Sequence, residues 1–125
     1  MEKIIEKELS YRINGLLFEV HNKLDRFCRE KQYSDYFEKL LINEGIDYER
    51  EKKLPISEID NQFTNIVDFA INKRLLVDLK AKSIVTKDDY YQMNRYLDAS
   101  GFKIGLIVNF RNKYLKPIRV IRSNS

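Results

Sequence analysis

Apolar side chains recur at Ile5, Leu9, Ile13, Leu16, Leu17, Val20 and Leu24, the spacing that builds one face of an α-helix. It predicts a first helix from Lys3 to about Lys23. A second helix is expected from about Glu30 to Asn43, with Tyr33, Phe37, Leu40 and Leu41 on its inner stripe and Gly45 as the stop. Tyr48 to Ile56 then reads as a strand broken by Pro55, with a turn at Asp60-Asn61. Two further strands follow, Asn65 to Ile71 and Leu75 to Lys80, joined by the polar turn Asn72-Lys73-Arg74. Thr86-Lys87-Asp88-Asp89 has the form of a capping box, so a third helix is expected from there to about Ala99, ending near Ser100-Gly101. Phe102 to Phe110 is a strongly apolar strand, and a short basic strand is expected at Arg119 to Ile121. The order is helix, helix, three strands, helix, strand: an α/β fold with a mixed sheet flanked by helices. A crossover helix between the third strand and Phe102 to Phe110 predicts parallel pairing of those two strands.

Charge interrupts this pattern at Asp68, Asp78 and Lys80, inside strands that otherwise want apolar side chains. In a hairpin that pairs Ile71 with Leu75, the same register pairs Asp68 with Asp78, and opposed residues project from one face. Lys80 returns to that face, while Leu75, Val77 and Leu79 point into the core. A charged strand residue is by default a solvated one. The set reads differently, because Asp is disfavoured in strands and Val67, Phe69, Leu76 and Val77 mark these strands as at least half buried. Two carboxylates with Cα atoms roughly 5 Å apart repel unless a proton or cation lies between them. Hard oxygen ligands of this kind suit Mg²⁺ or Mn²⁺.

At 125 residues the chain is expected to form one domain, residues 1–125, large enough to bury a core. Its 43% hydrophobic and 34% charged residues exclude a disordered chain. No apolar run reaches the ~18 residues of a membrane span, and Met1-Glu2-Lys3-Ile4 lacks the regions of a secretory signal, so a cytoplasmic location is expected. A single cysteine, Cys28, excludes an internal disulfide and a cysteine-rich zinc site. The lone histidine, His21, leaves no His-rich metal site. The net charge of +4 is a modest pointer to nucleic acid. Its distribution says more: Arg111 to Arg122 carries five cations and no acid, which suits either phosphate neutralisation or a solvated basic tail.

On the third helix Gln92 shares a face with Asp89, Arg95 and Tyr96, beside an apolar stripe of Tyr90, Met93 and Leu97. Gln92 is therefore placed to reach Asp78, with plain surface exposure as the alternative. Glu30, Ser34 and Glu38 line up on the second helix and could present an acid to the same cleft.

With Asp68, Asp78-Leu79-Lys80 and Gln92 in this order, the chain resembles the PD-(D/E)xK nuclease superfamily. More narrowly it resembles the bacterial GxxExxY proteins, through Gly15 to His21, Glu30 to Tyr33, Val77 to Ala81, Gln92 with Tyr96-Leu97, and Gly105 to Phe110. The resemblance implies a restriction-endonuclease-like core and a metal-dependent phosphodiesterase. It implies Asp68, Asp78, the Leu79 carbonyl and Glu30 as ligands of Mg²⁺ or Mn²⁺, with Lys80 and Gln92 as catalytic residues and a nucleic acid as substrate, DNA ahead of RNA. Lys80 next to two carboxylates suits water orientation and charge stabilisation better than proton abstraction. Three positions depart from the pattern: Phe27 stands for glycine, Ser34 for a glutamate, and Asp78 for the commoner glutamate. Glu30 is the substitute for the absent helix glutamate, with Glu19 as a second candidate. Two other readings stay open: a non-catalytic nucleic-acid or protein-binding domain on the same scaffold, and a dimerisation module. A homodimer is one way for so short a chain to cut both strands of a duplex.

Overall fold

The computed structural model describes residues 6–54 and 65–122. Their elements are α1 (Lys7–Leu24), α2 (Glu30–Asn43), β1 (Tyr48–Lys53), β2 (Ile66–Ile71), β3 (Leu75–Lys80), α3 (Lys87–Ser100), β4 (Ile104–Asn109) and β5 (Ile118–Ile121). The expected start of the first helix at Lys3, the break at Pro55 and the turn at Asp60-Asn61 lie outside the described residues. The element order expected from the sequence is the one found, and the mixed α/β sheet flanked by helices is consistent with a restriction-endonuclease-like fold.

The helix ends have local causes. α2 stops because Gly45 takes a left-handed φ of 65°, a conformation that only glycine adopts without steric cost. α3 starts at a capping box in which the Thr86 N–H donates to Asp89 Oδ2 at 2.8 Å. It ends at Gly101, φ 77°, whose N–H donates to the Leu97 carbonyl at 2.9 Å.

The sheet order is β1-β2-β3-β4-β5. β1, β2 and β3 form an antiparallel meander, β3 and β4 pair in parallel from Leu75↔Ile104 to Lys80↔Asn109, and β5 returns antiparallel on β4. The parallel step forces a crossover, and α3 makes it. One sheet face carries α1 and α2, with Ile13, Leu17, Tyr33 and Phe37 packed on Phe69, Val77 and Leu106. The other carries α3, with Met93, Tyr96 and Leu97 packed on Ala70, Leu76 and Ile107. Tyr33 stacks on Phe110 at 4.3 Å between centroids, and Phe37 meets Phe69 edge-on at 4.9 Å, both favoured aromatic geometries.

Three expectations need correction. On α3 the buried face is Asp89, Met93, Tyr96 and Leu97; Tyr90, placed in the apolar stripe, is 37% exposed. The helix leans so that the face carrying Gln92 looks at the sheet, and Tyr96 goes inward with it. In β2 the period-two alternation breaks at Asp68: Phe69 and Ile71 pack toward α1 and α2, yet Val67 packs on the α3 side. Between the pairs Arg50↔Phe69 and Lys52↔Val67 stands Glu51, with a left-handed φ of 52°. The register is the same on both sides of Glu51, so its left-handed backbone marks a local distortion opposite Asp68 with no residue added. The basic segment from Arg111 is no solvated tail either. Arg111 bonds to the backbone of Arg26 and Ala81, and Arg122 pairs with Asp98 at 3.2 Å.

A Cβ on Gly105 would run into Met93 Sδ and approach Met93 Cγ at 2.9 Å. Met93 is 1% exposed and wedged between α3 and the sheet, so the thioether has little room to yield. Gly105→Ala should therefore destabilise the fold by about 1–3 kcal/mol, measured as a shift in the urea unfolding midpoint.

Candidate functional site

The hairpin that presents the acids is closed by Asn72 and Lys73, both left-handed at φ 52° and 55°. Two such residues match the right-handed twist of the flanking strands. Pairing then runs Ile71↔Leu75, Ala70↔Leu76 and Phe69↔Val77. At the next position Asp68 sends its side chain across, and Asp68 Oδ2 accepts the Leu79 N–H at 2.7 Å. That bond sets Asp68 beside the residue that follows Asp78, and the two carboxyls lie close enough for the charge of Asp78 to act on Asp68.

Asp78 is 6% exposed, so this meeting happens largely out of water. The Asp68 pKa is pushed up to about 8, first by burial and then by the charge and hydrogen bond of Asp78; the Leu79 N–H opposes the rise and Glu30 adds to it. Asp68 thus holds its proton well above the usual carboxylate range.

Lys80 closes the group. Its Nζ lies 2.8 Å from Asp78 Oδ2, donates to Gln92 Oε1 at 3.1 Å, and stands 3.7 Å from Asp89 Oδ1. Burial lowers the Lys80 pKa, but the charges of Asp78, Asp89 and Asp68 outweigh it, and the net shift is upward. The ammonium therefore stays charged. Asp89 also pairs with Lys82 and caps α3. Its pKa is lowered despite its burial, because Lys82, the Thr86 N–H and Lys80 all favour the carboxylate.

Two neighbours of the group were not singled out from the sequence as site residues. Asp89 drew notice as a helix cap and as a neighbour of Gln92 on one helix face, three residues before it, but was given no role in the site. Tyr96, one turn after Gln92, has its pKa pushed up to about 12 by burial and by the charge of Asp78, so its phenol stays protonated against that carboxylate.

The helix acids separate. Glu30 lines an open cleft of ≈ 490 Å³ together with Asp68, Ser34, Arg50 and Glu51. Glu38 is turned away from it, accepting from Tyr48 Oη at 2.7 Å and from Arg50 Nη1 at 3.0 Å. Glu19 lines a different cleft, beside Arg12, Phe18 and Glu44, and is not brought to Asp68. Among the described residues no three or more His, Cys, Asp or Glu side chains gather as a metal cluster. Glu30 acts on Asp68 at a distance without joining it. Leu79 meets Asp68 through its N–H. The donors that do converge are two oxygen-only carboxyl groups, a donor type that fits a hard divalent cation such as Mg²⁺ or Mn²⁺ once Asp68 has lost its proton.

Asp68 carries a consequence for stability. A carboxyl raised from 3.8 to about 8 by folding binds more protons folded than unfolded across that window, so stability falls as pH rises through it and levels off above it. Asp68→Asn keeps an acceptor for the Leu79 N–H and removes the charge. In metal-free buffer the variant should melt with the wild type near pH 4 and about 5 °C above it near pH 8, read from thermal melts in EDTA. An equal gain at both pH values would refute the buried-charge account.

One comparison with known proteins bears on this geometry. The family model described as PD-(D/E)XK nuclease superfamily matches residues 7–121. No curated protein and no solved structure matches the chain. The matched span takes in all eight elements, with the acidic pair, Lys80 and Gln92 inside it, and the chain belongs to the PD-(D/E)XK nuclease superfamily.

Proposed function

We propose that this protein is a metal-dependent nuclease that hydrolyses phosphodiester bonds, with DNA the expected substrate ahead of RNA. Membership of a nuclease superfamily supports the general reaction. The observation that carries the finer reading is the convergence of three ionisable side chains: Asp68 on the Leu79 N–H at 2.7 Å, next to Asp78, and Lys80 2.8 Å from Asp78.

Asp68, Asp78 and the Leu79 carbonyl would hold the ion, and Glu30 would act from the wall of the cleft. A divalent ion bound there supplies Lewis-acid neutralisation of the phosphate and a lowered pKa for the attacking water. Asp68 has to give up its proton for this. Lys80 suits proton abstraction poorly in the metal-free site, where its carboxylate neighbours raise its pKa. It orients water by donation and offsets the negative charge that grows on the phosphoryl oxygens. Gln92, accepting from Lys80 at 3.1 Å, fixes where that ammonium points. The narrower likeness to GxxExxY proteins rests on Glu30, Tyr33 and Asp78-Leu79-Lys80.

A second reading is favoured by one observation: Lys80 already neutralises Asp78, and among the described residues no third acid joins the pair. That arrangement also suits a scaffold which binds nucleic acid without cutting it. Calorimetric titration with Mg²⁺ and Mn²⁺ separates the two. A nuclease should take up metal in the wild type and lose that uptake in Asp68→Ala, whereas the binding scaffold takes up none.

Asp78→Ala and Lys80→Ala should each reduce Mg²⁺-dependent cleavage of labelled oligonucleotides on the order of 10²-fold or more, and EDTA should abolish it. Full activity in either variant would remove that residue from the mechanism. Glu30→Gln should weaken the apparent Mg²⁺ affinity several-fold, while Glu19→Gln leaves it unchanged; the reverse result would assign the helix acid to α1.

A further inference from the structure

Phe27 leaves 75% of its surface in solvent, yet it has company. The guanidinium of Arg26 lies 5.0 Å from its ring centroid and that of Arg111 lies 5.7 Å away, both within reach of cation–π attraction. With three-quarters of the residue open, the two cations stand over the ring without closing it off from solvent. They are also locked. Arg26 Nε donates to the Arg111 carbonyl at 2.9 Å, Arg111 Nε donates to the Arg26 carbonyl at 3.1 Å, and Arg111 Nη2 donates to the Ala81 carbonyl at 3.3 Å. All three acceptors are backbone groups, and among the described residues neither arginine pairs with a carboxylate. Two uncompensated positive charges are thus fixed beside an open aromatic face.

The chain ties this face to the acidic pair from both sides. Ala81 follows Lys80, and Phe27 comes three residues before Glu30, which shares its cleft with Asp68. The loop after β4 adds Lys113 and Tyr114, the latter 73% exposed with Lys113 Nζ 5.5 Å from its ring centroid. Exposed aromatics interleaved with fixed cations are what single-stranded nucleic acid requires, since an unpaired base offers a π-face and the adjoining phosphates offer charge. A duplex hides its base faces in the stack, so an aromatic ring discriminates where cations alone would not.

We propose that Phe27, flanked by Arg26 and Arg111, is a stacking platform for an unpaired base and makes single-stranded nucleic acid the preferred substrate. This rests on the nuclease reading for what happens at Asp68 and Asp78, but the binding step can be measured without cleavage. The chain contains no tryptophan, so Phe27→Trp introduces a single indole at the platform.

The experiment titrates the full chain in EDTA with a single-stranded oligonucleotide and with its duplex, following indole emission in Phe27→Trp and anisotropy of the labelled nucleic acid in the wild type and Phe27→Ala. The single strand should quench the indole, and Phe27→Ala should lose about tenfold in single-strand affinity while its duplex affinity and melting temperature stay unchanged. An indole that ignores the single strand, together with unchanged affinity in Phe27→Ala, would overturn the platform. So would emission that changes with protein concentration alone, which would assign the ring to a contact between copies of the chain. A parallel Mg²⁺ cleavage assay keeps the two readings apart. Cleavage without quenching overturns the platform and spares the nuclease; quenching without cleavage does the opposite.

Discussion

The site is governed by the repulsion between two carboxyl groups that the hairpin will not let part. Asp68 cannot swing away without giving up the Leu79 N–H at 2.7 Å, and Asp78 is buried beneath α3. Charge that cannot move must be neutralised. The chain offers two remedies: a proton, held with an Asp68 pKa of about 8, and the Lys80 ammonium at 2.8 Å from Asp78. Under the proposed function a divalent ion is the third, and it would displace the first.

Topology decides what surrounds the pair. Because β3 and β4 run parallel, the chain must cross over between them, and α3 lands on the face that carries Asp78 and Lys80. A single helix face then brings Asp89, Gln92 and Tyr96 to the group. Asp89 links local structure to the site directly, since the carboxylate that caps α3 at Thr86 also neutralises Lys82 and stands near Lys80. Helix start and ammonium position are therefore held by the same side chain.

The same end of the sheet also carries a basic rim. There the loop between α1 and α2 is joined to the segment after β4 by reciprocal arginine-to-carbonyl bonds, while Tyr33 of α2 stacks on Phe110 and His21 Nε2 of α1 lies 2.9 Å from the Asn112 carbonyl. These contacts lie beyond the strand ends, so they can carry positive charge without burying it. An acidic pair and a basic rim at one end of a sheet divide the labour a phosphate diester demands, cations for its charge and oxygens for a metal.

The residue pattern, with its cap and turn signals, determined the eight elements and their order, because burying one face of a helix or strand writes a repeat of 3.6 or 2 into the residues themselves. It also placed Asp68, Asp78 and Lys80 together, since hairpin register is a local property of a short turn. Other features were decided only in three dimensions. The break at Glu51 and Asp68 that sends Val67 to the opposite face, the lean of α3 that buries Tyr96 and leaves Tyr90 in water, and the division of Glu30, Glu38 and Glu19 among three surroundings leave no mark on spacing. Each depends on which side chains from distant segments reach the same place: Arg50 claims Glu38, and Asp78 and Lys80 draw the polar face of α3 inward. A sequence records which face of an element is apolar; which partner a charge finds on that face is settled when the elements pack.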